Sequence, residues 1–196
     1  KAQTKDNQSV VVFEDEAFRQ FCVEHFDADR NGMITDGEVS SVDSLSVPSM
    51  EIVSLKGIEA FASLRKLYCY DNKIEALDLS ANGELTVLGC HYNDLEELSL
   101  SANTKLTSLN CNHNRISKLD LSALTELREL HVQYNELGEL DLSGNPRLGI
   151  LQCMENWLTE LDITKCPDLT MLWADPMATL ETLYWTQAQA DNMVAV

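Results

Sequence analysis

Glycine and proline are scarce in this 196-residue chain, at 8 and 4 residues, and 44% of its residues are hydrophobic. That excludes a collagen-like repeat and a disordered low-complexity chain. Basic residues are also few: 14 Lys plus Arg stand against 32 Asp plus Glu, a formal charge of −18. Such a charge repels phosphate backbones and anionic headgroups, so nucleic acid and membrane surfaces are excluded as partners. No run of about eighteen apolar residues occurs, so no segment reads as a membrane-inserted helix. Lys1 to Gln8 are polar and read as a mature amino terminus, not as a secretory signal. What remains is the composition of one folded unit with a substantial core.

Leucine recurs at Leu64, Leu85, Leu106, Leu127, Leu148 and Leu169, each twenty-one residues after the last. Counting each of these as position one, Leu67, Cys69, Asn72, Ile74, Leu77 and Leu79 match Leu88, Cys90, Asn93, Leu95, Leu98 and Leu100 in the next copy. Asn114, Asn135 and Asn156 continue the asparagine column. The pattern L-x-x-L-x-[C/V]-x-x-N-x-[L/I]-x-x-L-x-[L/I] resembles the leucine-rich repeat family. A unit of this kind cannot cover its own apolar side chains, so neighbours must stack and the core runs lengthwise.

The implied fold is an α/β repeat, a leucine-rich-repeat solenoid. It has a curved parallel sheet, a mostly irregular convex side and a short N-terminal helical cap. Its expected divisions are a cap over 1–41, a degenerate first repeat over 42–63, five repeats over 64–168, and a degenerate repeat with a C-terminal cap over 169–196. Two-residue alternation turns positions four and six inward and three, five and seven toward the concave face. The repeated Asn is expected to pair backbone groups of adjoining coils. Val42, Leu45, Val47, Ile52 and Leu55 form the degenerate first coil. Met177 in place of Asn, the interrupting Pro176, and Leu180 and Leu183 starting a strand too early mark the end of a row of about eight strands.

Ahead of the repeats, Phe13, Ala17, Phe18, Phe21, Cys22 and His25 share one helical face. The helix runs into Asp27-Ala28-Asp29-Arg30-Asn31-Gly32-Met33-Ile34-Thr35-Asp36-Gly37-Glu38, which matches the EF-hand calcium loop. The expected ligands are Asp27, Asp29, Asn31, the Met33 carbonyl, Thr35 directly or through water, and a bidentate Glu38. A single loop suits a structural calcium ion better than a sensor. With this cap the chain resembles secreted or surface leucine-rich-repeat proteins of bacteria, which implies a secreted or cell-surface location.

Cys69, Cys90, Cys111 and Cys153 occupy inward position six, equivalent to Val132 and Ala174, and are expected to be reduced core residues. Cys166 falls where Asn82, Asn103 and Asn145 stand, and Cys22 on the helix's apolar face. Asp78, Asp120, Asp141 and Asp162 form a column read as a solvated convex edge.

Function is sought where the repeat leaves residue choice free. Tyr68, Tyr70, His91, Tyr92, His113, His131, Tyr134, Met154, Trp157 and Trp173 fall on or beside the concave face, interleaved with Asn110, Asn112, Gln133 and Gln152. Rigid amphipathic rings bury contact area at low entropy cost, so a protein partner is expected there, on a monomeric module. A glycan is the alternative. The competing class is a zinc-dependent hydrolase using His91, His113 and His131 with help from Glu129 or Glu155. No nucleophile motif or phosphate loop accompanies those histidines, so an enzyme is not expected.

Overall fold

The computed structural model describes residues 9–175 and 177–195, so Pro176 lies outside the described residues. The chain is a parallel solenoid of about seven coils. The long sheet is built from β1 (Ser44–Ser46), β2 (Lys66–Tyr68), β3 (Val87–Gly89), β4 (Ser108–Asn110), β5 (Glu129–His131), β6 (Ile150–Gln152), β8 (Met171–Trp173) and β10 (Val194–Ala195), in that order. Its register is a straight ladder in which Leu45, Leu67, Leu88, Leu109, Leu130, Leu151 and Leu172 are successive partners. Each of those leucines is buried, as are Cys69, Cys90, Cys111, Val132 and Cys153 two residues on. All six cysteines are free and buried. Burial alone pushes the Cys153 thiol up to about 12, and it outweighs a backbone hydrogen bond to give about 12 for Cys69 and Cys111.

What joins one coil to the next at the strand's exit is the asparagine at position nine. In the third coil, Asn114 Nδ2 donates to Cys90 O of the preceding coil at 3.1 Å and to Cys111 O at 3.0 Å, while its Oδ1 accepts from Leu95 N at 3.0 Å. Asn72, Asn93, Asn135 and Asn156 repeat this arrangement. Stripped of water, those carbonyl and N–H groups would be orphaned by the departure of the chain from the sheet.

A second amide series runs up the opposite side. Asn82, Asn103 and Asn145 are fully buried and donate to two carbonyls each of the preceding coil. At the next coil the position is Cys166, whose Sγ lies 3.8 Å from Leu142 O. The series ends on Gln189, in α3 (Gln187–Asn192), whose Nε2 donates to Ile163 O at 2.6 Å and Cys166 O at 2.9 Å.

The N-terminal end is closed by α1 (Glu16–Phe26). Asp15 is its N-cap: Oδ1 accepts from Phe18 N at 2.9 Å, and Oδ2 accepts from Val53 N of the first coil at 2.8 Å. Phe18 packs between Phe13 and Phe61, with centroids 5.3 and 6.4 Å away. The lid passes so close to the coil that a Cβ on Gly57, at φ 107°, would lie 2.8 Å from the Phe13 ring. Only glycine fits there.

At the far end the structure corrects one expectation. The stretch containing Leu180 and Leu183 does not open a premature concave strand. It forms β9 (Thr182–Tyr184), which pairs in parallel with β7 (Glu160–Asp162) on the convex side and completes the return of its own coil. Leu183 is partnered with Leu161, twenty-two residues earlier, so one extra residue in the last coil accounts for the apparent shift. The eighth concave strand is β10 instead.

Removing one inter-coil amide tests this construction. Asn114→Ala leaves Leu95 N–H buried without an acceptor and Cys90 C=O with Asn93 Nδ2 alone, and should lower unfolding stability by about 2 kcal/mol in urea titration. A loss below about 0.5 kcal/mol, the size of an ordinary surface change, would contradict it.

Candidate interaction surface

Three columns of side chains line the concave sheet. Position three carries Lys66, Val87, Ser108, Glu129, Ile150 and Met171; position five carries Tyr68, Gly89, Asn110, His131, Gln152 and Trp173; position seven carries Tyr70, His91, Asn112, Gln133 and Met154. Tyr68, Tyr70, His91, His131, Met154 and Trp173 are therefore on the sheet face, all partly exposed. Ile150 and Met171, directly paired across β6 and β8, extend the face with apolar surface that the sequence reading did not single out. Met171 is 40% exposed, and the position-three column was the signal that could have found it.

Tyr92, His113 and Tyr134 are not on that sheet. They occupy position eight, at the rim where each strand ends. Their φ values of 53°, 49° and 56° are left-handed, as are those of Asp71 (56°) and Glu155 (53°) in the same column. A left-handed turn after position seven lets the next residue, the asparagine, swing inward. It costs a non-glycine residue roughly 1 to 2 kcal/mol. The rings recover part of that by stacking: Tyr92 on His113 at 4.2 Å and 12°, His113 on Tyr134 at 4.2 Å and 15°. A second stack, Tyr70 on His91 at 4.5 Å and 14°, lies one column inward. It joins the first through the edge-on contact of His91 with Tyr92 at 5.8 Å and 62°. Five rings thus form one continuous chain across four coils. Trp157 sits two positions further on, 61% exposed in the column that holds Lys73, Asp94 and Arg115, away from the sheet.

Gly89 lets the Tyr68 ring close over the sheet beside the inner stack. A Cβ there would be 3.2 Å from Tyr68 Cδ1 and 3.8 Å from His91 Nδ1, so both rings close over bare backbone. Nδ1 of His91 is buried with no hydrogen-bond partner. Desolvation, then the neighbouring His113 and His131, hold the His91 pKa below its ordinary value, against a smaller upward pull from Asp71. Desolvation also lowers that of His113. His91, His113 and His131 lie in three different columns, and among the described residues they are not part of any cluster of three potential metal ligands.

The one such group among the described residues is Asp27, Asp29 and Glu38, whose carboxylate oxygens lie within 4.8 Å of one another. The loop turns through two left-handed residues, Arg30 at φ 61° and Gly32 at φ 80°. Asp27 Oδ2 accepts from Gly32 N at 2.8 Å and Asn31 Oδ1 from Met33 N at 2.7 Å. Glu38 opens α2 (Asp36–Val39) in a capping box with Thr35, accepting from Thr35 N and Oγ1, both at 2.9 Å. The Thr35 N–H is the first cause of the lowered Glu38 pKa. The donors are all oxygen, with no thiol or imidazole, which fits a hard cation. Ile34 is buried, and its carbonyl accepts from Val11 N at 2.8 Å, so the strand partner that a second loop would supply comes from the chain's own residues 9–11.

On the convex edge, Asp78, Asp120, Asp141 and Asp162 each accept from the backbone N–H two residues on, at 2.8 to 3.0 Å. Those bonds explain the column as a row of turns.

The comparisons agree with this architecture. Residues 105–127 match the Leucine Rich Repeat family profile, and no curated protein matches the sequence. Among solved structures, the chain is similar to the functional domain of InlJ from Listeria monocytogenes, described as including a cysteine ladder. Identity is 29% and TM-score 0.63, over 84% of this chain and 41% of that one. It also resembles internalin C2 of the same organism, at 22% identity and TM-score 0.78, over 94% of this chain and 84% of that one. The LRIM1/APL1C complex is a third, at 24% identity and TM-score 0.67, over 76% and 29%. The fold is thus a leucine-rich-repeat solenoid with bacterial internalins among its structural neighbours, and the chain spans less than half of the InlJ domain.

The histidines give a pH test. As pH falls, the unfolded chain takes up protons at the ordinary value near 6.5 before folded His91 and His113 do, so stability present above that value is lost on acidification. The melting temperature should drop between about pH 7.5 and 5.5, and drop less in His91→Gln/His113→Gln. Equal drops in the two proteins would contradict the shifted pair.

Proposed function

We propose that this chain is a binding module that captures an extracellular protein on its concave face by surface complementarity, without catalysis. The observation that carries the reading is the uncharged ring chain from Tyr70 to Tyr134, continued by Gln152, Met154, Trp173, Ile150 and Met171, on a molecule of net charge −18. Charge is depleted where contact is made, and aromatic side chains and methionine are the residues that supply binding energy at such surfaces. A curved sheet edge to edge across seven coils suits an extended partner. The resemblance to internalins supports a secreted or surface-attached location, and the described residues contain no helix long and apolar enough to cross a membrane. The module acts as a monomer in this reading. A glycan is the second reading, favoured by the amides of Asn110, Asn112, Gln133 and Gln152 beside the rings; Gln133 Nε2 already donates to Gln152 Oε1 at 3.0 Å.

Calcium belongs to the cap in the same proposal. Asp27, Asp29, Asn31, Thr35 and Glu38, with the Met33 carbonyl, would hold the ion and stiffen the loop that abuts α1 and the first coil. Neutralising the clustered carboxylates is its contribution to stability.

Two experiments separate these statements. Tyr70→Ala/Trp173→Ala should weaken capture of the partner at least about tenfold, whereas Glu139→Gln on the convex side should not; equal capture by all three proteins would discard the concave face. Calcium at a hundred times its dissociation constant should stabilise the chain by about 2.7 kcal/mol over chelator, an increment lost in Asp29→Asn. No increment in the unmodified chain would remove calcium from the account.

A further inference from the structure

We infer that the rim ladder recognises a basic, extended segment of the partner, seating two Lys or Arg side chains four residues apart, one at each end of the ring stack. This rests on the concave-face reading and narrows it to the partner's chemistry.

Position eight reads Asp71, Tyr92, His113, Tyr134, Glu155, with all five residues left-handed. Because rings of successive coils stack nearly parallel, their normals run along the solenoid axis. The inner faces of Tyr92 and Tyr134 are covered by His113. The other side of Tyr92 is turned toward the coil of Asp71, with the His91 ring meeting Tyr92 at 5.8 Å and 62°, and that of Tyr134 toward the coil of Glu155. Asp71 Oδ2 accepts from Ser49 Oγ at 2.5 Å, on the side away from Tyr92, so its short side chain does not cover the ring. The two end rings are 51% and 44% exposed. Each end of the stack therefore offers half-exposed aromatic surface one coil from a carboxylate-bearing residue of the same column, surroundings that suit a guanidinium or ammonium group.

Two further observations favour this occupant. Tyrosine is a poor residue for a left-handed turn that asparagine, aspartate or glycine adopts more easily, so the rings are held there against the backbone's preference. The rim's own cations are engaged as well: Lys73 bonds Glu51, and Arg115 bonds Asp94 at 2.6 Å. The chain's charge of −18 then attracts a basic segment over a distance that salt controls.

The spacing follows from strand geometry. From the gap beside Asp71 to the gap beside Glu155 is three coil steps, about 14 Å at ~4.8 Å per strand. Four residues of extended chain cover about 14 Å, and an even separation puts both side chains on the same side.

The test is a titration of the intact chain, followed by the ring NMR signals of Tyr92 and Tyr134. The probes are twelve-residue Ser/Thr peptides with arginines at i and i+4, arginines at i and i+3, or citrulline in place of both arginines. The i, i+4 peptide should give saturable shifts and bind about tenfold more tightly than the citrulline peptide, with affinity falling as salt rises. Tyr134→Leu and Glu155→Gln should each weaken it about fivefold; the second is a surface change of the same shape, so a folding defect does not confuse the result. Citrulline binding as well as arginine, or ring shifts with an oligosaccharide and none with the arginine peptide, would overturn the inference. If Trp173→Ala abolishes partner capture while the arginine peptide shifts no ring, this inference fails and the concave-face reading stands.

Discussion

Everything in this molecule depends on one constraint: a coil of twenty-one residues can neither bury its leucines nor satisfy its turning backbone without the coil beside it. The leucines answer the first need by stacking in register. The asparagines answer the second, each reaching from one coil to pair the carbonyl and N–H that the preceding coil leaves open. Since a carbonyl buried without a partner costs on the order of the net worth of several ordinary hydrogen bonds, the amide columns set the spacing and register to which the apolar core conforms. Both ends need a substitute for the missing neighbour. Asp15 and the phenylalanine cluster serve at one end, and Gln189, reaching back from a short helix, at the other.

The same constraint makes the surface. With inward positions committed to the core, side chains at three, five, seven and eight are free to vary, and they are displayed in columns about one strand spacing apart. That separation exceeds a ring stacking distance by little, so aromatic residues in adjacent coils lie parallel and form a continuous ladder. Desolvation among those rings also lowers the pKa of His91 and His113, so these two imidazoles take up a proton less readily than free ones.

How much of this could be read from the residues follows from where periodicity holds. The period of leucines, the asparagine column and the cysteines of position six are all repeats of a single template, and each maps onto a coil. The convergence of Asp27, Asp29 and Glu38 is legible because those carboxylates are spaced along one short loop. Two-residue alternation breaks at the rim, however, because position eight turns left-handed; nothing in the local pattern of Tyr92, His113 and Tyr134 announces that backbone change. Gln189 lies beyond the repeats, and its role needs the tertiary position of its helix. The one-residue lengthening before Leu183 disguised a convex strand as a concave one.

The account's central claim is that stacking hides the aliphatic and thiol columns and leaves the rim rings open to solvent. Chemical labelling of the native chain, with a tyrosine-acylating reagent and a thiol reagent read residue by residue, tests it most directly. Acylation of Tyr92 and Tyr134, with Cys69, Cys90 and Cys111 unlabelled until the chain is unfolded, is the expected result. Prompt labelling of those cysteines while both tyrosines remain unreactive would contradict it.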